Sequence, residues 1–599
     1  MNRVERRPSR YKPYLWVVGT DLETLPIDEL VGQRYQVVAP YIWLDTQPDQ
    51  RPSVPNAFPP EAMPYLKAHP HRLHVPGLYG VLERTGAPPI LLLENAPIHP
   101  QAGALLPELE AGLFSAPPLR QANWLWQLWE LWGTLGDLGL ARSLLMPSNL
   151  RVDGWRLRLL ELLPAGEDDA EPPTLADLAE LWRSLLSPLH LSVSEPLRLL
   201  VNRIDAGDMD AATLALELNQ ILLGQAAMVS TRIALAGATA QGPTQPRNED
   251  ACWPQGTQSE TAGLQVAMVC DGVGGHDDGE IASQLAVQSL QIQLQALLAE
   301  AQNELRILPP QVIVQQLEAV IRIVNELISF QNDNRGRVGR QRMGTTLVMA
   351  VVIPQRVQTE QGWERVSEVY LAQVGDSRAY WITPDYCHPL TVDDDIAGRE
   401  VIACRQTWPQ AQERSDAGAL TQALGTRSGD HLRPHLRRFI FDETGILLLC
   451  SDGLSDNYRI EDAWANYIGL IIKDIVTLDS AVASWIELAN QKNGHDNTAV
   501  VLMQYKLFTQ TSAQTEPDAA AGSRQETVPP PGATLYGESL PEEVASAPAE
   551  SKPPQGIPRW ILAVSGSALL VGLLGWWWLS SRSPEPPSPL PPPPTAPAP

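Results

Sequence analysis

Between residues 229 and 507 the chain alternates short apolar runs with longer stretches of helical spacing. The runs at 264–270, 346–353, 368–374, 446–450 and 498–503 are rich in β-branched residues and bounded by turn formers, which predicts buried strands. Ile313, Leu317, Val320, Ile321, Val324 and Leu327 recur at three- and four-residue intervals, the pattern of one helix face. Ile281 and Leu285 open a similar pattern in a helix expected to begin near Glu280. Strands interrupted by two adjacent helices and followed by more strands predict a layered α+β domain at 229–507.

The N-terminal region, 13–225, changes from a strand-like to a helical pattern near residue 120, so a mixed α/β domain is expected. Trp124, Leu125, Leu128, Trp129 and Trp132 lie at helical spacing on one broad face, which reads as a helix packed in a core. Two further helices are expected at 177–186 and 210–223. Beyond the second domain the pattern stops. Residues 509–558 are Pro, Ala, Glu, Ser and Gly without periodicity and read as a disordered linker. Residues 560–579 carry no charge, are long enough to cross a bilayer, and are bracketed by Arg559 and Arg582. Trp560 and Trp576, Trp577 and Trp578 stand at the ends like interfacial anchors, so a transmembrane helix is expected. Lys552 and Arg559 upstream favour the preceding domains on the cytoplasmic side. A proline-rich tail, 583–599, closes the chain.

Composition narrows the function. At 599 residues more than one core is expected, and a net charge of −25 argues against nucleic acid as a partner. The same charge suits divalent cations. Five cysteines without a C-x-x-C pair point to buried single thiols rather than a disulfide frame or a zinc site.

Candidate chemistry sits at the strand ends. Cys270-Asp271-Gly272-Val273-Gly274-Gly275-His276 follows one predicted strand and precedes a predicted helix. A carboxylate at a strand tip, beside glycines that let backbone come close, can hold a hard cation. Asn248-Glu249-Asp250, Gly375-Asp376-Ser377-Arg378, Ser451-Asp452-Gly453 and Asp496-Asn497 complete an ordered set. Its order and spacing resemble the metal-dependent serine/threonine protein phosphatases, the PPM or type 2C family. Gly344-Thr345-Thr346, Leu390-Thr391 and the run from Thr421 to Gly425 add matches. The resemblance implies a β-sandwich flanked by helices, phosphoprotein substrates, and two Mg²⁺ or Mn²⁺ ions that activate a water and clamp phosphoryl oxygens. It implies that Asp271 bridges both ions, that Asp452 and Asp496 complete one site, and that Glu249 with the Gly272 carbonyl serves the other. Asp250 is then the acceptor that orients metal-held water. Asp376, sharing Asp452, is expected to hold a third, weaker ion. Asn497 and Thr498 are expected to fix their loop.

This chain departs from the family at three places. The position of the arginine that grips substrate phosphate is Gln245, and Arg247, two residues on, lies on the same side of an extended segment. A displaced guanidinium loses bidentate fit, so weaker substrate binding is expected. Val273 replaces a histidine after the Asp-Gly pair, leaving His276 as the candidate general acid. Where many members have T-x-D-H-S, this chain has Thr391-Val392-Asp393-Asp394-Asp395, opening a flap that runs to about Ala419. The N-terminal domain resembles, more faintly, a protein kinase. Gly32-Gln33-Arg34-Tyr35-Gln36-Val37 is similar to the opening strand, residues 90–94 to the hinge strand, and Met146-Pro147-Ser148-Asn149-Leu150 to the catalytic loop. That alignment puts Leu144 at the catalytic aspartate, Met146 at the loop lysine and apolar sequence near Leu162 in place of D-F-G. Kinase chemistry needs those charges, so a catalytically dead docking or regulatory module for a protein partner is expected. The whole then reads as a membrane-anchored phosphatase. Its rival is a signalling scaffold whose phosphatase fold no longer turns over.

Overall fold

The apolar runs of the C-terminal half form the strands expected of them, in a computed structural model that describes residues 14–164, 171–258, 265–273, 278–303, 307–360 and 362–509. Two antiparallel sheets result. One has the order Ala251–Trp253, Val266–Cys270, Leu347–Thr359, Gly362–Val374, His435–Phe439. The other runs Gly256–Gln258, Val229–Ala240, Thr498–Thr509, Gly445–Cys450, Arg378–Ile382, Cys387–Pro389. Their facing sides share a core that includes Ala267, Val269, Val348, Trp381, Leu449 and Val501. Trp381 stacks on Phe441 with ring centroids 3.8 Å apart.

Helices cover both outer faces. Gly279–Asn303 and Pro310–Asn334 pack on the first sheet, and Arg459–Ile472 with Leu478–Lys492 pack on the second. The strands are buried on both faces, which is why they read as continuous apolar runs rather than as alternation. One helical face is rotated from its expected position and another is shorter than expected. Ile281 is 37% exposed and the buried side is Ala282, Ala286, Leu290 and Leu294. On the second helix Ile313, Leu317, Val320, Ile321 and Val324 are buried as expected, and Leu327 is exposed.

The N-terminal half opens with a six-stranded antiparallel sheet in the order Leu30–Val31, Tyr35–Ala39, Ile42–Asp45, Tyr14–Val18, Ala87–Glu94, Gly77–Arg84. Gly32 and Gln33 have φ of 57° and 58°, so the expected opening strand starts with a turn and extends only from Tyr35. The tryptophan-rich helix spans Pro118–Asp137, with Trp124, Leu125 and Leu128 buried and Trp129 and Trp132 half-buried. Leu175–Ser184 and Ala211–Ala226 form the other expected helices, and Leu191–Asp205, unread in the sequence because Pro196 sits inside it, is a third. A capping box between Thr174 and Asp177 starts the first of these.

Only Ala227 and Met228 separate the last helix of this half from the first strand of the sandwich, and the two halves pack together. Val357 and Val366, from the long hairpin of the first sheet, lie in the same apolar cluster as Leu125 and Leu222. Arg120 pairs with Asp442 at 2.7 Å, Asn123 donates to the Ile440 carbonyl at 3.1 Å, and Arg438 stands over the Trp126 ring. The turn at Gly154 sits so close to Tyr386 that a Cβ there would overlap the ring. Among the described residues no helix is long and apolar enough to cross a membrane. The span read at 560–579, the linker beyond Thr509 and the tail at 583–599 lie outside them.

Candidate active site

The cluster is assembled where strands of both sheets end. Asp271 leaves Val266–Cys270 and is locked by the Gly344-Thr345-Thr346 segment. Thr346 N–H and Thr345 Oγ1 donate to the Asp271 carbonyl at 2.8 and 2.9 Å, and Asp271 N–H donates to Thr346 Oγ1 at 3.0 Å. Thr346 Oγ1 also meets Ser377 Oγ at 2.7 Å, tying this turn to the one that carries Asp376. From the other sheet, Ser451 Oγ donates to Asp250 Oδ2 at 2.7 Å and accepts from Ala499 N–H at 2.9 Å. These hydroxyls fix the backbone and one carboxylate before any ligand arrives. Their identity as small polar residues beside each acidic motif was the available sequence signal, but nothing in the pattern assigned them partners.

Asn497 acts as the expected brace. Its Oδ1 accepts from Glu249 N–H and its Nδ2 donates to the Arg247 carbonyl, both at 2.8 Å. The 240s loop thereby lies against the Asp496 turn. Gly242 is required there, since a Cβ would stand 1.9 Å from the Asp496 carbonyl oxygen. On the other side, a Cβ at Gly279 would stand 2.4 Å from Glu249 Oε2 and 3.0 Å from the Gly272 carbonyl oxygen. The two oxygens expected to serve one ion therefore close on a common point that only a glycine leaves open.

The electrostatics match. Burial, then the neighbouring Asp250, Asp452, Asp376 and Asp496, holds the Asp271 carboxyl well above the usual range. Asp250 is raised by burial and by Asp452, Asp496 and Glu249, against the opposing Ser451 hydrogen bond. Asp376 is raised by burial, then by Asp452 and Asp393. Asp452 is pushed up to about 7 by burial and by Asp456 and Asp496, while a hydrogen bond with Asp271 opposes the shift. Each of these carboxyls therefore influences at least one other, and a divalent cation relieves the repulsion that protons otherwise relieve.

The side chains are not all drawn to one point. Among the described residues no three His, Cys, Asp or Glu groups stand close enough to share an ion. Asp496 is turned to its own loop, its Oδ1 accepting from Gln245 Nε2 at 2.9 Å and from Asn497 N–H at 2.8 Å. Three observations nonetheless fit hard cations. Asp452 Oδ1 is buried without a hydrogen-bond partner, the Glu249 and Gly272 oxygens converge at Gly279, and every candidate donor is oxygen, as Mg²⁺ and Mn²⁺ prefer.

Residues 243–475 match the Protein phosphatase 2C family. The chain carries a protein phosphatase 2C domain. The match ends before Asp496, which joins the site through Gln245, Asn497 and the fold. The domain is similar to the serine/threonine phosphatase stp of Listeria innocua, 29% identical over 245 residues, or 41% of this chain and 85% of that one. It is similar to the protein phosphatase PhpP of Streptococcus pneumoniae, 28% identical over 246 residues, or 40% and 86%. A solved catalytic domain of the serine threonine protein phosphatase PstP, in complex with two manganese ions, is 25% identical and covers 46% of this chain and 100% of that one, at a TM-score of 0.34.

Of the remaining site residues, Arg247 is exposed and enters the loop through its carbonyl. Gln245 does not face outward as a substitute for the arginine. Its amide bridges the His495 carbonyl and Asp496. His276 lies outside the described residues. All five cysteines are free thiols, with Cys252, Cys270 and Cys450 buried.

Proposed function

We propose that the phosphatase 2C domain hydrolyses phosphoserine and phosphothreonine in proteins, with two Mg²⁺ or Mn²⁺ ions held by Asp271, Asp452, Asp496, Glu249 and the Gly272 carbonyl. The observation that carries this is the buried, unpartnered Asp452 Oδ1 inside a set of mutually interacting carboxylates. A buried carboxylate oxygen without a hydrogen bond is costly, and a bound cation offsets that cost. When bound, the ions supply an activated water and neutralise charge on the phosphoryl oxygens. Asp250, held by Ser451, orients a water by accepting its hydrogen bond. Arg247 is the side chain to meet the substrate phosphate, and His276 is the general-acid candidate. Asp376, electrostatically linked to Asp452, is suited to a third, weaker ion.

The anchoring reading rests on residues 560–579, with both folded halves on the cytoplasmic side and the 509–558 linker as tether. The N-terminal half is read as a kinase-like module without kinase chemistry that serves a protein partner. Its sheet-then-helices order supports that reading, as do buried Leu144 and Leu162 where an aspartate and a D-F-G are needed. The scaffold alternative is favoured by one observation, the engagement of Gln245 with Asp496 where a phosphate-gripping arginine is expected. Turnover of a phosphothreonine peptide by the full chain, with and without Mn²⁺, separates the two. Metal-dependent release of phosphate supports the enzyme, and Mn²⁺ binding without release supports the scaffold.

A further inference from the structure

The flap, 396–419, is built into the N-terminal half rather than onto the sandwich that it flanks. Its buried apolar residues, Ala397, Val401, Ala411 and Ala417, belong to the N-terminal core, with Leu66, Ala68 and Val75. The flap helix Ile396–Ile402 packs on Met63–Lys67 and His69–His71, and the flap helix Trp408–Gln412 packs on the strand Gly77–Arg84. Trp408 is the centre of the contact. The buried His69 ring lies 4.9 Å from it, and the Arg72 guanidinium stands over it at 5.0 Å. Arg51 forms an ion pair with Glu413 at the rim. Toward the sandwich a cavity of ≈ 320 Å³ remains, walled by Pro70, Val392 and Ile402 on one side and Leu371 and Arg437 on the other.

The flap's stem reaches the site directly. Asp394 and Gly375 exchange two hydrogen bonds, Gly375 N–H to Asp394 Oδ2 at 2.9 Å and Asp394 N–H to the Gly375 carbonyl at 3.0 Å. Asp393 pairs with Arg378 at 2.6 Å. Gly375 and Arg378 bracket Asp376, so a continuous packed path runs from His69 and Arg72 through Trp408 and the flap to one edge of the carboxylate cluster.

We infer that the N-terminal half is the positioning element of the phosphatase site. Residues 63–72 hold the flap through Trp408, and the flap so held governs how a phosphoprotein, as opposed to a small phosphate ester, engages the Asp376 edge. This rests on the phosphatase reading for its substrate and on the packing alone for the clamp. The clamp explains why the N-terminal half keeps a large core without kinase charges, since its work is done through its surface.

The experiment uses the full chain and two readouts, hydrogen exchange of the flap amides and steady-state kinetics on a phosphothreonine peptide and on p-nitrophenyl phosphate. Trp408→Ala is expected to speed exchange at 396–419 by about tenfold, the scale of one lost aromatic and cation–π contact. It is expected to raise KM for the peptide several-fold while KM and kcat for p-nitrophenyl phosphate stay within twofold, and Trp408→Phe restores most of both. Should Trp408→Ala fail to fold, Arg51→Glu is expected to loosen the flap to a smaller degree and Arg51→Glu with Glu413→Arg to restore it. Unchanged flap exchange in a folded Trp408→Ala, or peptide and p-nitrophenyl phosphate kinetics that shift together, overturns the inference. If the wild-type chain turns over neither substrate, the phosphatase reading fails, and the exchange data still decide the clamp.

Discussion

The loop at Asn149 and the turn at Asp271 occupy comparable places, each buried between a sheet and helices, and they are finished in opposite ways. The Asn149 side-chain amide is fully hydrogen-bonded. Its Nδ2 donates to the Ser143 and Glu161 carbonyls at 2.7 and 3.0 Å, and its Oδ1 accepts from the N–H groups of Leu160 and Glu161. Leu144, fully buried, and Leu162, 3% exposed, fill the space beside it. Around Asp271 four aspartates lie within electrostatic reach, and one of them keeps a buried oxygen without a partner. A satisfied amide among leucines stabilises a fold. An unsatisfied carboxylate oxygen among carboxylates costs stability that a bound cation can offset. The same chain therefore holds one loop whose central side chain is satisfied by its own backbone and one whose carboxylates repel each other.

Mutation at the two places should separate these roles most sharply. Asp271→Asn is expected to cut metal-dependent phosphatase turnover by ~10³-fold, the scale of losing a group that stabilises transition-state charge. Removing a buried like charge should leave melting temperature unchanged or raised. Asn149→Ala is expected to do the reverse, lowering stability by ~1–3 kcal/mol by removing the side-chain partner of the Ser143 carbonyl and of the Glu161 carbonyl and N–H, while kcat stays within twofold. Urea unfolding and single-substrate kinetics on both variants check the pair. A large loss of activity with Asn149→Ala would break the distinction.

A second contrast lies between the site and the seam joining the halves, and pH exposes it. Burial holds His69 and His74 down to about 3 and His71 and His388 down to about 4, all from an ordinary value of 6.5. His69, His71 and His74 stand on the N-terminal half, and His388 meets Asp153 across the seam at 3.5 Å. Because the unfolded chain binds these protons first, their contribution is fully present above about pH 6.5. It is lost as pH falls from there toward 4, by up to ~1.4 kcal/mol per pH unit for each histidine. Asp153 is held well below the usual range, since Arg156, His388 and Arg158 outweigh its burial. Its contribution is present above about pH 4 and fails below it. The raised carboxyls of the site, Asp452 at about 7 among them, act in the opposite sense over the same range, so the seam is read from the difference between proteins. Equilibrium unfolding at pH 7, 6, 5 and 4.5 should show a shallower acid loss in His388→Leu than in the wild type.

The smallest expected effect concerns Gln245. Replacing it by arginine removes the amide that turns Asp496 to its own loop and adds a guanidinium near the substrate phosphate. KM for a phosphopeptide is expected to fall several-fold with kcat little changed, as a charge-assisted contact made equally in ground and transition states would give. A fall in kcat instead would show that the Gln245 contact positions Asp496 for turnover.

The sandwich strands were legible because burial on both faces makes them continuous apolar runs, and the acidic motifs were legible because each sits at a strand end. Long-range hydroxyl partners were not. Nothing local marks Ser451 as the donor to Asp250 across 201 positions, or Thr346 as the anchor of Asp271. Helix faces slipped by one residue at Ile281 because small residues, Ala282 and Ala286, pack closest to the sheet and carry little hydrophobic signal. The helix Leu191–Asp205 went unread because an internal Pro196 breaks the pattern; the proline removes one backbone hydrogen bond in the second turn, and burial of Val193, Leu197, Leu200 and Val201 keeps the helix. The last helix of the N-terminal half ends at Ala226 and the first sandwich strand begins at Val229. That the flap, which follows that strand in the chain, shares the core of the N-terminal half was not legible, since Ala397, Val401, Ala411 and Ala417 are small, scattered apolar positions that name no partner.

The most direct test is calorimetric titration of Mn²⁺ into the full wild-type chain and into Asp271→Asn, with release of phosphate from a phosphothreonine peptide followed in the same samples. The account predicts two tight equivalents and metal-dependent release in the wild type, with binding weakened and release abolished in the variant. Equal Mn²⁺ binding by both proteins, or release that proceeds undiminished in Asp271→Asn, would contradict the claim that the buried carboxylates are kept for divalent ions.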